Sequence, residues 1–404
     1  LILLKPWFFK GYSGNQGGEN MMMPIETVKS IEVLFSDFAR AHILALPSLG
    51  EQVLFPRLLW EQMGAENLLN PALFKDPALK ARSCLAITRA GRALVSGGGN
   101  LGMALSWMVH HLVARYLLFQ EGNNERQEVF GQLGKTIALG DATVCFAVSE
   151  PKVGAHPKYM AATAQKTNTG YILNGEKTYL TNGPIAQAFI VIAVTGVERE
   201  KKQFSAFLVP KKTKGLMVMP PMAIPFFNPS PHGSICLKEC QVPDNALLGR
   251  SGHAYKDMVL PFRRIEDAAM TGPITGAMAF LLEAMAREMV NGKESSEQDI
   301  EQLGGLAILL ETADLLSWNA AMAVDDPAAC LDPGAILLQF KHLVGQYAAE
   351  LDALVEKTNL ILPALCGFLI HDLKSSAQMG KNSARIQQAK LGRVLLKNSG
   401  KINL

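Results

Sequence analysis

The chain has 404 residues and a net charge of +3, with 49% hydrophobic and 19% charged residues. That size buries a large core and suggests two to three domains, while so small a net charge excludes a strong polyanion partner such as nucleic acid. The six cysteines are scattered, and only Cys236 and Cys240 lie close, which excludes a disulfide scaffold and a zinc set; free thiols in the reducing cytoplasm and no metal are expected.

Residues 1–20, LILLKPWFFKGYSGNQGGEN, carry an apolar run broken by Lys5 and Pro6. It is too short to span a bilayer and unlike a signal peptide, and it reads as added or translated upstream sequence outside the fold. No later apolar run reaches spanning length, so a soluble protein away from membranes is expected. From 21 to 140 apolar residues recur three and four apart, as in Ile31, Leu34, Phe35 and Phe38, which predicts a helical domain. Gly97-Gly98-Gly99 reads as a loop or close-packing element, since no Gly-Lys-Ser/Thr follows it. His110 and His111 read as ordinary helix residues. From 141 to 250 short β-rich runs alternate with turns, among them ATVCFAVSE, AATAQKT, AFIVIAV and FSAFLVP, which predicts an antiparallel β-domain. Asn174-Gly175 is read as a type I′ hairpin turn, which needs positive φ at both central positions. From 251 to 404 the helical period returns, giving an α+β chain with a β-domain set between a helical domain and a helical bundle.

Phe146-Ala147-Val148-Ser149-Glu150-Pro151 followed by Gly154, and Asn174-Gly175-Glu176-Lys177-Thr178-Tyr179-Leu180-Thr181-Asn182-Gly183 about thirty residues on, together resemble the two signatures of the acyl-CoA dehydrogenase family. Glu128-Val129-Phe130-Gly131-Gln132-Leu133, Val242-Pro243, Leu248-Gly249 and Arg264-Ile265 with Ala268-Ala269 also look familial. The resemblance implies the family fold, FAD as cofactor, a homodimer or homotetramer, an acyl-CoA or related thioester as substrate and an electron-transfer partner. It also implies that Phe146, Val148, Ser149, Gly154, Ala155, Tyr179, Leu180 and Thr181 hold the flavin. A hydroxyl such as that of Ser149 stabilises the negative charge that a reduced flavin gathers, and Tyr179 and Thr181, two apart on a strand, are expected to face one side near N5.

Three departures mark a divergent member. Ala155-His156 stands where the family has Ser-Asp. The stretch from Arg287 to Lys293 lacks the Arg-x-x-Phe-Gly that reaches the FAD pyrophosphate, leaving Arg287 or Lys293 to supply the charge. Met379-Gly380, after His371-Asp372, stands where the usual catalytic Glu-Gly is expected, and a thioether takes no proton. Some relatives carry the base on the first helix of the C-terminal domain: one register puts Glu266 there, and another, matching Arg264-Ile265, puts Arg263. Arg263, Arg264, Met379 and Gly380 are expected at the substrate. Lys390, Arg393, Lys397 and Lys401 share a helical face, read as solvated or as a phosphate contact. Three functions remain open: an FAD-dependent dehydrogenase of acyl thioesters, a flavin-dependent monooxygenase of the same fold, and a catalytically impaired flavin- or acyl-CoA-binding protein.

Overall fold

The computed structural model describes residues 18–79, 81–118, 127–292, 295–326, 328, 333–379 and scattered positions between 385 and 396. Residues 1–17, Lys293, Gly380, Lys390, Lys397 and Lys401 lie outside the described residues, and with them the expectations placed there. Residues 18–20 open the first helix.

The N-terminal part is helical: α1 (Gly18–Phe38), α2 (Arg57–Ala65), α3 (Ser83–Gly98), α4 (Leu101–Val113) and α5 (Gln127–Ala138). The glycine run ends α3, with Gly99 at φ +68 as its left-handed cap, and the Asn100 side chain then accepts from Met103 N to start α4. His110 and His111 are buried in α4, their Nε2 atoms 3.1 and 2.9 Å from the carbonyls of Leu69 and Leu68. They tie α4 to the preceding loop.

The middle part is one sheet of β1 (Val144–Ala147), β2 (Thr163–Lys166), β3 (Gly170–Thr181), β4 (Ala188–Glu198), β5 (Lys201–Pro210), β6 (Leu216–Val218), β7 (His232–Pro243) and β8 (Leu247–Leu248). Its order is β6-β7-β3-β2-β4-β5-β8, with β1 beside β4. Most pairings are antiparallel as expected, but β1 runs parallel to β4 and β2 meets β4 in a parallel contact. The hairpin expected at Asn174-Gly175 is not a turn. β3 runs straight through it, with a register shift against β7, and Gly175 sits at φ +138, outside the I′ range. The Asn174 side chain is held by β7 instead, accepting from Glu239 N and donating to Glu239 Oε1, both at 2.8 Å. A Cβ at position 175 would lie 2.7 Å from Ala162 Cα, so glycine lets β2 approach.

The C-terminal part contains α6 (Leu260–Ala269), α7 (Thr271–Asn291), α8 (Glu297–Asp325), α9 (Pro333–Thr358) and α10 (Ala364–Gln378). The stretches Tyr255–Asn291 and Glu297–Asp325 are long and apolar enough to cross a membrane by length and composition, contrary to the sequence expectation. In the fold, Ala277, Met278, Leu281 and Met285 of α7 are buried in the helical core. Charged side chains fasten this part to the first. The Asp325 carboxylate accepts from Cys84 N and Leu85 N, each at 2.9 Å, and so caps α3 from α8. Arg89 bridges Glu32 at 2.6 Å and Asp314 at 2.8 Å.

Candidate functional site

A single ion pair organises the two signature segments. Lys177 of β3 is fully buried, and its Nζ lies 2.8 Å from Glu150 Oε1 and 3.0 Å from Val148 O. The remaining acceptor capacity of Glu150 is used by Ala161 N at 2.6 Å and Ala162 N at 3.0 Å. Burial pulls the Lys177 ammonium below its ordinary value, and the Glu150 carboxylate opposes that shift. With Thr178 N donating to Ser149 O at 2.8 Å, the segment after β1 is clamped along β3. Ser149 on one segment and Thr181 on the other are thereby held in a common frame.

β3 does not present Tyr179 and Thr181 by simple alternation. A second register shift against β7 lies between Lys177 and Leu180, and Tyr179 adopts φ +56, a left-handed conformation that costs a bulky side chain about 1–2 kcal/mol. The bulge turns Tyr179, Leu180 and Thr181 all toward one groove. Tyr179 remains 63% exposed, so a strained backbone holds an aromatic face open to a ligand.

The groove has a volume of about 300 Å³. The sheet side supplies Phe146, Val148, Ser149 and Ala155 beside the bulge. The helical side supplies Val109 of α4 and a stripe from the turn into α6: Val259, Phe262, Arg263, Glu266 and Asp267. These last five fall on one helix face by their spacing of three, four, seven and eight. Phe146 and Phe262 meet edge to face with centroids 4.9 Å apart, joining the two sides. Burial pushes the Glu266 carboxyl up to about 7; the neighbouring Asp267 adds to the rise and Arg263 opposes it.

Of the residues expected from sequence, Phe146, Val148, Ser149, Ala155, Tyr179, Leu180, Thr181, Arg263 and Glu266 line this one groove. The candidates of both α6 registers, Arg263 and Glu266, are one turn apart on the same face of the groove. Gly154 is not on the groove wall but closes the turn just before Ala155, pairing with Glu150. Arg264, one residue off the stripe, is exposed and not among the groove residues. Met379 ends α10, 43% exposed, and is not among the groove residues. Arg287 forms a surface pair with Glu283. His371 and Asp372 line a separate cavity of about 250 Å³ with Phe226 and Phe368. There Asp372 accepts from Phe227 N at 2.7 Å, and burial raises its carboxyl to about 6. Sequence reasoning missed Val109, Val259, Phe262 and Asp267; the helical spacing around Arg263 and Glu266 was the signal for the last three.

The groove fits the flat ring of a flavin. Its walls combine the apolar Val109, Phe146, Val148 and Phe262 with the charged Arg263, Glu266 and Asp267 on the helical side, an exposed aromatic is held against its strand preference, and two hydroxyls, on Ser149 and Thr181, stand at the sheet side. Its volume is at the lower end for ligand sites, enough for a ring system and not for a whole dinucleotide.

Residues 145–240 match the family profile described as "Acyl-CoA dehydrogenase, middle domain". The chain is 28% identical over 307 residues to the mitochondrial short-chain specific acyl-CoA dehydrogenase of Rattus norvegicus, covering 74% of this chain and 73% of that one. It is 28% identical over 276 residues to an L-prolyl-[peptidyl-carrier protein] dehydrogenase of Serratia sp., covering 65% and 68%. In fold it matches butyryl-CoA dehydrogenase from Megasphaera elsdenii with a TM-score of 0.77 at 18% identity, over 92% of this chain and 98% of that one. A structure titled "PigA with FAD and proline" matches at 0.75 and 20% identity, over 95% and 99%. By its signature segments, its middle-domain match, its relatives and its fold, the chain is a member of the acyl-CoA dehydrogenase family.

Proposed function

We propose that this FAD-dependent dehydrogenase oxidises an acyl thioester, with Glu266 as the base that removes the α-proton. The observation that carries the proposal is the meeting of Glu266, raised to about 7, with Ser149, Tyr179 and Thr181 in one groove. A carboxyl in that range is largely ionised just above neutral pH yet basic enough to compete for a carbon-bound proton, and such catalysis is worth about 10² to 10⁴ in rate. FAD, when bound, supplies the two-electron acceptor for the hydride that leaves the β-carbon. Ser149 and Thr181 would hold the ring's polar edge, Tyr179 and Phe146 would exclude water from it, and Arg263 would orient the thioester and hold Glu266 toward its charged form.

The identity of the acyl group is open between a coenzyme A thioester and a carrier-protein thioester, since both substrate types occur in the names of the relatives. The test is anaerobic mixing of FAD-loaded protein with butyryl-CoA and, separately, with a prolyl thioester on a peptidyl carrier protein. Loss of the yellow colour with either, slowed at least about a hundredfold in Glu266→Gln, is the expected result. Bleaching that Glu266→Gln leaves at the native rate would refute Glu266 as base.

A further inference from the structure

Behind Thr181, on the strand that pairs with it, stands a histidine that none of the signature residues accounts for. Thr181 of β3 and His232 of β7 are register partners, and Thr181 Oγ1 lies 3.3 Å from His232 Nε2. His232 is buried, and its other ring nitrogen, Nδ1, lies 3.0 Å from the carbonyl oxygen of Ser230. The segment around it is fixed. Met222 N donates to His232 O at 2.8 Å, and Ser106 Oγ donates to Ser230 Oγ at 2.9 Å.

We infer that His232 is a positioning residue that makes the Thr181 hydroxyl a hydrogen-bond acceptor toward the groove, and thereby biases the bound flavin toward its reduced form. The reasoning is one of proton counting. A carbonyl oxygen can only accept, so the Nδ1 that faces Ser230 O carries the ring proton. Burial lowers the imidazole below its ordinary value, so the ring holds one proton and not two. Nε2 is therefore bare and can only accept, and the one hydroxyl proton of Thr181 goes to it. What Thr181 offers the groove is a lone pair.

The consequence rests on the proposed flavin reading of the groove, with the Thr181 hydroxyl further placed by the flavin N5. In the oxidised ring that nitrogen is an acceptor, and it would face another acceptor. When the ring takes up a hydride the same nitrogen bears N–H, and Thr181 can accept it. One redox state gains a hydrogen bond that the other lacks, and His232, which touches neither ring nor substrate, decides which. Were the imidazole absent, the hydroxyl could rotate and donate to the oxidised ring instead.

The test is the two-electron reduction potential of FAD-loaded protein, equilibrated with a reference dye, for the native chain, His232→Leu, Thr181→Val and the double variant. His232→Leu is expected to shift the equilibrium toward the oxidised form by about tenfold, which is about 30 mV for a two-electron couple. The same change made on the Thr181→Val background is expected to have no effect, because no hydroxyl is left to orient. An equal shift on both backgrounds, or none on either, overturns the inference. Protein that stays colourless after loading overturns the flavin reading itself, whereas yellow protein with an unmoved potential overturns only the role of His232. A second measurement needs neither flavin nor a histidine variant. With ¹⁵N-labelled histidine in flavin-free protein, one imidazole should show a protonated Nδ1 and a bare Nε2 whose resonance moves in Thr181→Val; an Nε2–H on that ring overturns the inference.

Discussion

Replacing Lys177 by Met isolates the contribution of the buried ion pair to the site. The substitution keeps most of the apolar stem but leaves the Glu150 carboxylate, 8% exposed, without its cation. Breaking one side of a buried pair costs about 3–5 kcal/mol. Glu150 keeps its two backbone donors, Ala161 N and Ala162 N, so the lower end, about 3 kcal/mol, applies here. Hydrogen exchange at the amide of Thr178, which donates to Ser149 O, reports opening between the two signature segments. Its protection should fall by about a hundredfold in Lys177→Met. The double variant Lys177→Met/Glu150→Gln should recover part of that loss, because it removes the buried charge and its amide oxygen still accepts from one of Ala161 N and Ala162 N, while the NH2 in place of the second oxygen accepts from neither. FAD retention should fall along with protection, since Ser149 and Thr181 lose their common anchor. Native protection at Thr178 in the single variant would refute the claim that this pair fastens the site.

Two further outcomes follow from groups held in unfavourable states. Glu266 is raised from 4.5 to about 7 on folding, so the native state binds more protons than the unfolded chain within that window. Its contribution to stability therefore declines as pH rises from about 4.5 to 7 and is constant above. Glu266→Gln should gain thermal stability over the native chain at pH 8 relative to pH 4, by at most about 3 kcal/mol and less where the groove admits water; melting curves with the same difference at both pH values would contradict this. Tyr179→Gly removes the left-handed strain at φ +56 and should stabilise the flavin-free chain by about 1 kcal/mol in a thermal melt while weakening FAD retention. A variant that loses stability as well would show that Tyr179 is held by packing.

The site was legible in the sequence wherever local residue type and interval carried it. Ser149, Tyr179 and Thr181 stand on one groove as their two segments suggested, but the bulge in β3 and not strand alternation turns Tyr179, Leu180 and Thr181 toward it. The charged residues between them were not legible as a clamp. Lys177 and Glu150 look like surface residues in any local window, and only the packing of the segment after β1 onto β3 buries them together. Asn174-Gly175 misled for a related reason: the same dipeptide serves a turn or a bulge, and here β7 decides by holding the Asn174 side chain. In α6 the difficulty was register, and the fold places both candidates, Arg263 and Glu266, on one face of the groove. His232 carries no local signal at all, since its role arises from a partner 51 residues away.

The most direct test of the central claim is the pH dependence of flavin reduction by an acyl thioester under anaerobic, single-turnover conditions. Glu266 accepts a proton only when ionised, so the rate constant should rise with pH through about 7 and level off above it. In Glu266→Gln the residual rate should lack that step. A native profile that is flat from pH 5 to 9, or a step near 7 that survives in Glu266→Gln, would contradict the assignment of Glu266 as the base in this groove.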